Sequence, residues 1–171
     1  WTSDNTDPGD RLHIQWGFSH AFPAKAMVNW VTDSEWHNKT TSLKFRFHVA
    51  MAGNLGVGND LHQWGAGEKE LAREMIRTYK SIRHIVQLGD QYRLRNPFEE
   101  TRSAVQFVTR DGSESALFAY QTLETLPGAA KSSSTSDRLV LKGLNPDAMY
   151  TLSGDIEPQS LSGEVLMSSG I

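Results

Sequence analysis

The stretch 68–88 constrains the fold of this chain more than any other. Leu71, Met75, Tyr79, Ile82 and Val86 recur every three or four residues, and Lys69, Arg73, Arg77, Lys80 and Arg83 fill positions between them. That period gathers the apolar side chains into one stripe of an α-helix and turns the cations outward. Gly89 follows where a helix C-cap is expected. An amphipathic helix needs a surface to cover its stripe, so its neighbours matter. Upstream, 45–52 reads as a short helix that breaks at the glycines of Gly53-Asn54-Leu55-Gly56, and 55–61 as a short strand after the break. The run 26–31 (Ala-Met-Val-Asn-Trp-Val) is a second buried-strand candidate. Short apolar strands alternating with helices are the rhythm of parallel α/β units.

The period changes in the second half. Runs 104–109, 115–120, 138–141 and 149–152 read as short strands, with an Asp-Gly hairpin signature at Arg110-Asp111-Gly112 and a tight turn at Leu144-Asn145-Pro146-Asp147. This is a small antiparallel β unit of sandwich type, and 128–137, with its Lys-Ser-Ser-Ser-Thr-Ser run, is a surface loop. The expected division falls near 90–93, giving a first domain of residues 1–91 and a second of 92–171.

Composition narrows the function. The chain has 171 residues, 38% hydrophobic and 22% charged, with a net charge of −3. That suits one packed domain or two small ones and gives no electrostatic reason to expect a nucleic acid partner. Without Cys there is no disulfide, thiolate metal site or cysteine nucleophile. No apolar run approaches a bilayer-spanning length, so no membrane span is expected. The start at Trp1, with neither Met nor a basic leader, suggests a piece of something longer, and cytoplasmic localisation is the default, with secretion or a periplasmic location open.

Chemistry concentrates at Trp1-Thr2-Ser3-Asp4-Asn5-Thr6-Asp7-Pro8-Gly9-Asp10-Arg11. An EF-hand counted from Asp4 fails, because its fifth position is Pro8 and its twelfth Gln15. Asp7 before Pro8 matches an N-cap with proline at N1, and Asp10 adds an acid to the first turn. Against a helix there, Leu12, Ile14, Trp16 and Phe18 alternate with the period of a strand, and the residues alone leave that segment open. Asp4 is the acid without a structural task. In parallel α/β barrels catalytic groups sit at the C-terminal ends of strands, so Asp4 is a candidate general acid as well as a candidate surface aspartate of a turn. Gly53-Asn54-Leu55-Gly56-Val57-Gly58 has its glycines in the wrong order for a dinucleotide site. His13, His20, His37, His48, His62 and His84 form no metal-binding spacing. Asn38-Lys39-Thr40 is a glycosylation sequon. Trp16, Trp30, Trp36 and Trp64 could line a sugar platform or fill the core. No metal and no cofactor is expected.

These residues carry a family resemblance. Trp1-Thr2-Ser3-Asp4-Asn5-Thr6-Asp7 with Arg11-Leu12-His13-Ile14-Gln15 resembles the conserved block of the large bacterial α-galactosidases, glycoside hydrolase family 36. Later blocks agree in order: Pro23-Ala24-Lys25-Ala26-Met27, Trp30-Val31-Thr32-Asp33, His48-Val49-Ala50-Met51-Ala52-Gly53-Asn54-Leu55-Gly56 and Gln87-Leu88-Gly89-Asp90-Gln91-Tyr92-Arg93-Leu94. Leu141-Lys142-Gly143-Leu144-Asn145-Pro146-Asp147 and Leu161-Ser162-Gly163-Glu164-Val165-Leu166-Met167 complete the match along the whole chain. Ser34-Glu35-Trp36-His37-Asn38 departs from the family's usual Pro-Asn-His stretch.

The resemblance implies a fold of α/β plus all-β class: the last units of a (β/α)8 barrel, then an antiparallel β domain. It also implies that the segment after Pro8 is a barrel helix. The implied activity is retaining hydrolysis of terminal α-linked galactose in melibiose- and raffinose-type oligosaccharides. Asp4 takes the acid/base role, with Asp7 the fallback and Trp1, Asn5 and Asp7 near the substrate. The family's nucleophile lies in a Lys-Trp-Asp motif that does not occur in these residues, so the chain by itself is expected to be inactive. A homo-oligomer, tetrameric by resemblance, is implied as well. Within the superfamily an α-galactosyltransferase or α-N-acetylgalactosaminidase is an alternative, and outside it a non-catalytic carbohydrate-binding or structural module.

Overall fold

The computed structural model describes residues 2–33, 41–122 and 138–171. The sequon at 38–40, the departing stretch 34–38 with Trp36, the loop 128–137 and Trp1 lie outside them.

The first half alternates helix and strand. Helix α1 (Pro8–Phe18) leads through a single 3-10 turn at Ala24–Ala26 to β1 (Val28–Val31), then α2 (Leu43–Met51), β2 (Asn54–Val57) and α3 (Ala66–Leu88). The two strands pair in parallel, with Asn29 opposite Leu55 and Val31 opposite Val57, and α2 makes the crossover between them. Segment 12–18 is thus helical. Its buried residues, Pro8, Arg11, Leu12 and Gln15, follow the helical spacing, and of the alternating Leu12, Ile14, Trp16 and Phe18 only Leu12 is among them.

Burial alternates along β1. Asn29 and Val31 are turned to the helices, and Val28 and Trp30 lie on the other face. Under Trp30 sits Gly56, where a Cβ would come within 2.6 Å of the indole ring; the glycine is there because the ring lies directly on the neighbouring strand. Helix α3 presents Ala72, Met75, Tyr79, Ile85 and Val86 to a core shared with Val31, Phe47, Met51 and Trp64. Gly89 ends it, its N–H donating to Ile85 O at 2.9 Å.

The second half is antiparallel. Strands β3 (Asp90–Arg95), β4 (Arg102–Val108) and β5 (Ser115–Gln121) form one sheet in that order, and β6 (Met149–Leu152) and β7 (Gln159–Ser162) a separate hairpin followed by α4 (Gly163–Ser168). The central strand β4 is buried on both faces. Phe107, with Ala116 and Phe118 of β5, joins the core around α3, whereas Val108 packs with Leu141, Leu144 and Leu166 in a second core beneath the hairpin and α4. The Asp-Gly turn joins β4 to β5, with Gly112 at φ +71°, a left-handed conformation that favours glycine.

One reading of the sequence differs from this architecture, and two stretches hold elements that the sequence reading did not assign. Residues 138–141 are not a strand: Leu139 exchanges backbone bonds with Ile171 (2.8 and 3.0 Å) and Leu141 N–H donates to Leu166 O (3.0 Å), isolated contacts to the C-terminus and α4 rather than a ladder. Strand β3 occupies the stretch read as a boundary, and β7 with α4 fills a tail to which no element had been assigned. The chain is a mixed α/β protein with antiparallel sheets.

Candidate active site

The acidic segment is a short approach to α1, and most of its side chains hold its own shape. Asp7 is the N-cap: its Oδ1 accepts from the N–H groups of Gly9 (2.9 Å) and Asp10 (3.0 Å), with Pro8 at N1. Asn5 Oδ1 accepts from Asp7 N–H at 2.9 Å, and Asn5 Nδ2 donates to Asp10 Oδ2 at 2.7 Å. Asn5 N–H in turn donates to Ser3 Oγ at 3.1 Å. Asn5, Asp7 and Asp10 thus satisfy one another and the free N–H groups of the first helical turn. Asp4 stands apart: it is exposed, and among the described residues no hydrogen bond or ion pair holds its carboxylate.

Two contacts place this segment beside β1. Thr6 Oγ1 lies 2.7 Å from Thr32 Oγ1, one residue past the C-terminal end of the strand. Arg11 Nη1 donates to Thr2 Oγ1 at 2.9 Å, while Nη2 reaches Asn29 Oδ1 and Val28 O. Beyond Thr32, Asp33 accepts from Arg46 and from Trp64 Nε1, and its N–H donates to Asn59 Oδ1, which follows β2. Ligands of open α/β sheets bind outside the carboxyl ends of the strands, and Asp4 is carried on a segment fastened at that end.

The tryptophans divide. Trp64 is buried against Phe47, and Trp30 covers Gly56. Trp16 lines a cavity of about 20 Å³ with Leu12, Gln15, Met27, Val105 and Tyr120. That volume suits one water and no sugar, and none of residues 2–7 lines it. Among the described residues no group of three or more His, Asp or Glu is arranged to hold a metal ion. His13 is bonded to Gly9 O and Pro97 O, His48 lies 3.7 Å from Asp155, and His84 pairs with Glu114 at 2.8 Å. Reading the sequence did not single out Arg11, Thr2, Thr6 or Thr32. The available signal was that Arg11 and Gln15 share the helical stripe of Leu12, an unusual place for a cation.

An exposed carboxylate without a partner among the described residues thus stands beside the C-terminal end of a parallel strand, in a βαβ unit followed by antiparallel sheets. The family model described as Melibiase matches residues 1–89, and the one described as Glycosyl hydrolase family 36 C-terminal domain matches residues 102–171. The chain belongs to glycoside hydrolase family 36, the α-galactosidase family. It is 36% identical to α-galactosidase AgaA of Geobacillus stearothermophilus across 100% of this chain and 22% of the relative. The crystal structure of α-galactosidase AgaB from the same organism superposes with a TM-score of 0.87 at 37% identity, covering 100% of this chain and 23% of that one. An AgaA variant in complex with raffinose gives a TM-score of 0.86 at 34% identity, with the same coverage. The chain therefore spans about a fifth of the length of the relatives it matches.

Proposed function

We propose that the protein carrying this chain is a retaining α-galactosidase that releases terminal α-linked galactose from raffinose- and melibiose-type oligosaccharides, and that Asp4 is its general acid/base. The observation that carries this reading is the isolation of the Asp4 carboxylate. In a segment where Asn5, Asp7 and Asp10 hold one another and the helix end, it is the acid that is exposed and has no partner among the described residues, on a stretch fastened beside a strand end. The raffinose bound by the AgaA variant supports the substrate class. The two halves are taken as the last units of a (β/α)8 barrel, residues 1–91, and a C-terminal antiparallel β domain of sandwich type, residues 92–171. The parallel βαβ unit and the second core beneath the β6–β7 hairpin support that division.

The chemistry needs two carboxyl groups about 5–5.5 Å apart. In the first step the protonated Asp4 gives its proton to the glycosidic oxygen as the bond to C1 breaks, while a carboxylate nucleophile forms an ester at C1. That nucleophile comes from chain outside this sequence, which has no Lys-Trp-Asp motif. In the second step the Asp4 carboxylate takes a proton from water as the water oxygen attacks C1 and the ester breaks, returning both groups to their starting state.

Asp4→Asn in the whole enzyme tests the assignment. It should lower turnover of raffinose by about 10²–10⁴-fold, the usual worth of general acid–base catalysis. For 2,4-dinitrophenyl α-galactoside, whose leaving group needs no proton, formation of the galactosyl-enzyme should be largely spared. Wild-type kinetics on raffinose would remove Asp4 from the mechanism.

A further inference from the structure

Arg11 is a cation in the wrong place. Only 4% of its surface is exposed, and among the described residues no carboxylate pairs with it; its acceptors are the neutral oxygens of Thr2, Asn29 and Val28. Its Nε is buried without a partner, and burial pushes the guanidinium below its ordinary pKa. Burying an ion without a counter-charge is costly, and a Met or Leu on the same stripe of α1 would pack without that cost. What a guanidinium adds is a rigid fork that can bond two separated segments at once.

The segments it joins are informative. One prong holds Thr2 and the other holds β1. The strand side is itself fixed, because Asn29, 1% exposed, also donates through Nδ2 to Ala50 O of α2 at 3.2 Å. Gly53 leaves room for that amide, since a Cβ there would lie 2.6 Å from Nδ2. The other tether of the segment is Thr6 on Thr32. Thr2 and Thr6 stand two residues before and two residues after Asp4, so the backbone carrying the free carboxylate is strung between two pegs, both set by β1.

We propose that Arg11 is the positioning residue for Asp4: by tying Thr2 to β1 it sets the reach of the acid/base carboxyl toward the glycosidic oxygen. This rests on the acid/base reading of Asp4 given above.

The test uses the full-length enzyme with Arg11→Lys, Thr2→Val and Thr2→Ser, and Asp4→Asn as reference. Each is assayed on raffinose, which needs a protonated leaving group, and for galactosyl-enzyme formation from 2,4-dinitrophenyl α-galactoside, which does not. Misplacing a catalytic group by about 1 Å costs on the order of 10²-fold. Arg11→Lys and Thr2→Val should therefore lower kcat on raffinose about 10–100-fold, with KM little changed and the dinitrophenyl reaction largely spared. Thr2→Ser, which keeps the acceptor oxygen, should restore raffinose turnover. A purely structural Arg11 would depress both substrates in parallel. A wild-type ratio between the substrates in Thr2→Val overturns the proposal, even where Arg11→Lys does not fold. If Asp4→Asn itself leaves the ratio unchanged, the acid/base reading has failed and the positioning role falls with it. If Asp4→Asn shifts the ratio and the Thr2 and Arg11 variants do not, only the positioning role is lost.

Discussion

Asp7 is the second acid of the same segment, and replacing it separates its capping role from the acid/base role proposed for Asp4. Its Oδ1 accepts from the N–H groups of Gly9 and Asp10 at 2.9 and 3.0 Å, and its charge sits at the positive end of the α1 dipole. Loss of an N-cap oxygen costs about 1 kcal/mol, and loss of the charge about 0.3–1 kcal/mol more. Asp7→Ala should therefore destabilise the first turns of α1 by about 1–2 kcal/mol, while Asp7→Ser, which can still cap, should forfeit less than about 1 kcal/mol. Hydrogen exchange read by mass spectrometry on peptides covering Pro8–Phe18 in the full-length enzyme resolves this, because 1–2 kcal/mol is roughly a 5–30-fold change in the opening equilibrium. Asp7→Ser should keep most of the exchange protection and most of the raffinose turnover. If Asp7→Ser kept protection in α1 but lost turnover to the extent that Asp4→Asn does, the cap would be incidental and Asp7 would be the acid/base. If Asp7→Ala left exchange unchanged, the capping geometry would not be holding the helix.

Two further outcomes follow from packing and titration. At Gly56 a new Cβ would lie 2.6 and 2.7 Å from two atoms of the Trp30 ring, so Gly56→Ala should destabilise the β1–β2 pair by about 1–3 kcal/mol. Gly17→Ala, with nothing within 4 Å of the new methyl, should stabilise α1 by about 0.5–1 kcal/mol, and denaturation midpoints that move the same way for both would refute the packing argument. His48 is held below its ordinary value of 6.5 by burial, against the opposing pull of Asp155 and with a smaller push in the same direction from Lys44. The folded protein therefore resists its protonation, and the contribution of neutral His48 is complete above 6.5 and is lost as pH falls from there toward the lowered folded value. Asp155, itself held below its ordinary 3.8 first by its hydrogen bond from Lys44, loses its contribution only at more acid pH. Exchange protection of Leu43–Met51 should thus weaken on acidification just below 6.5, and His48→Gln should flatten that dependence. An unchanged profile in the variant would assign the effect elsewhere.

What could be read in the sequence was what is settled locally. The stripe from Leu71 to Val86 repeats over enough turns to specify both the helix and its buried face, and the observed Ala66–Leu88 differs only at its N-terminal end. The Asp-Gly turn and the Asp7 cap are decided by residues two or three apart. Strand β3 escaped because Asp90–Arg95 reads polar: only Leu94 and Tyr92 face the second core, and its pairing with β4 comes from the opposite side of a loop. The tail 159–168 escaped for a similar reason, since β7 is largely exposed and α4 buries only Gly163 and Leu166. Residues 138–141 looked like a strand because Leu139, Val140 and Leu141 are apolar, yet their backbone partners are Ile171 and Leu166 of α4, isolated bonds that form no ladder.

The conflict at 12–18 has a physical meaning. Ordinary surface helices bury an apolar stripe, and their period is then visible. In α1 the stripe includes Arg11 and Gln15, so the hydrophobic period is broken at the positions that face inward, and the residues left over mimic a strand. Arg11 is spent on partners 9, 17 and 18 residues away, Thr2, Val28 and Asn29, none of which shares its helix. A sequence whose local pattern disagrees with its fold is expected where a side chain serves a site instead of a core. The ambiguity of this helix thus comes from a buried fork that gives up apolar packing in α1 to tie Thr2 to β1.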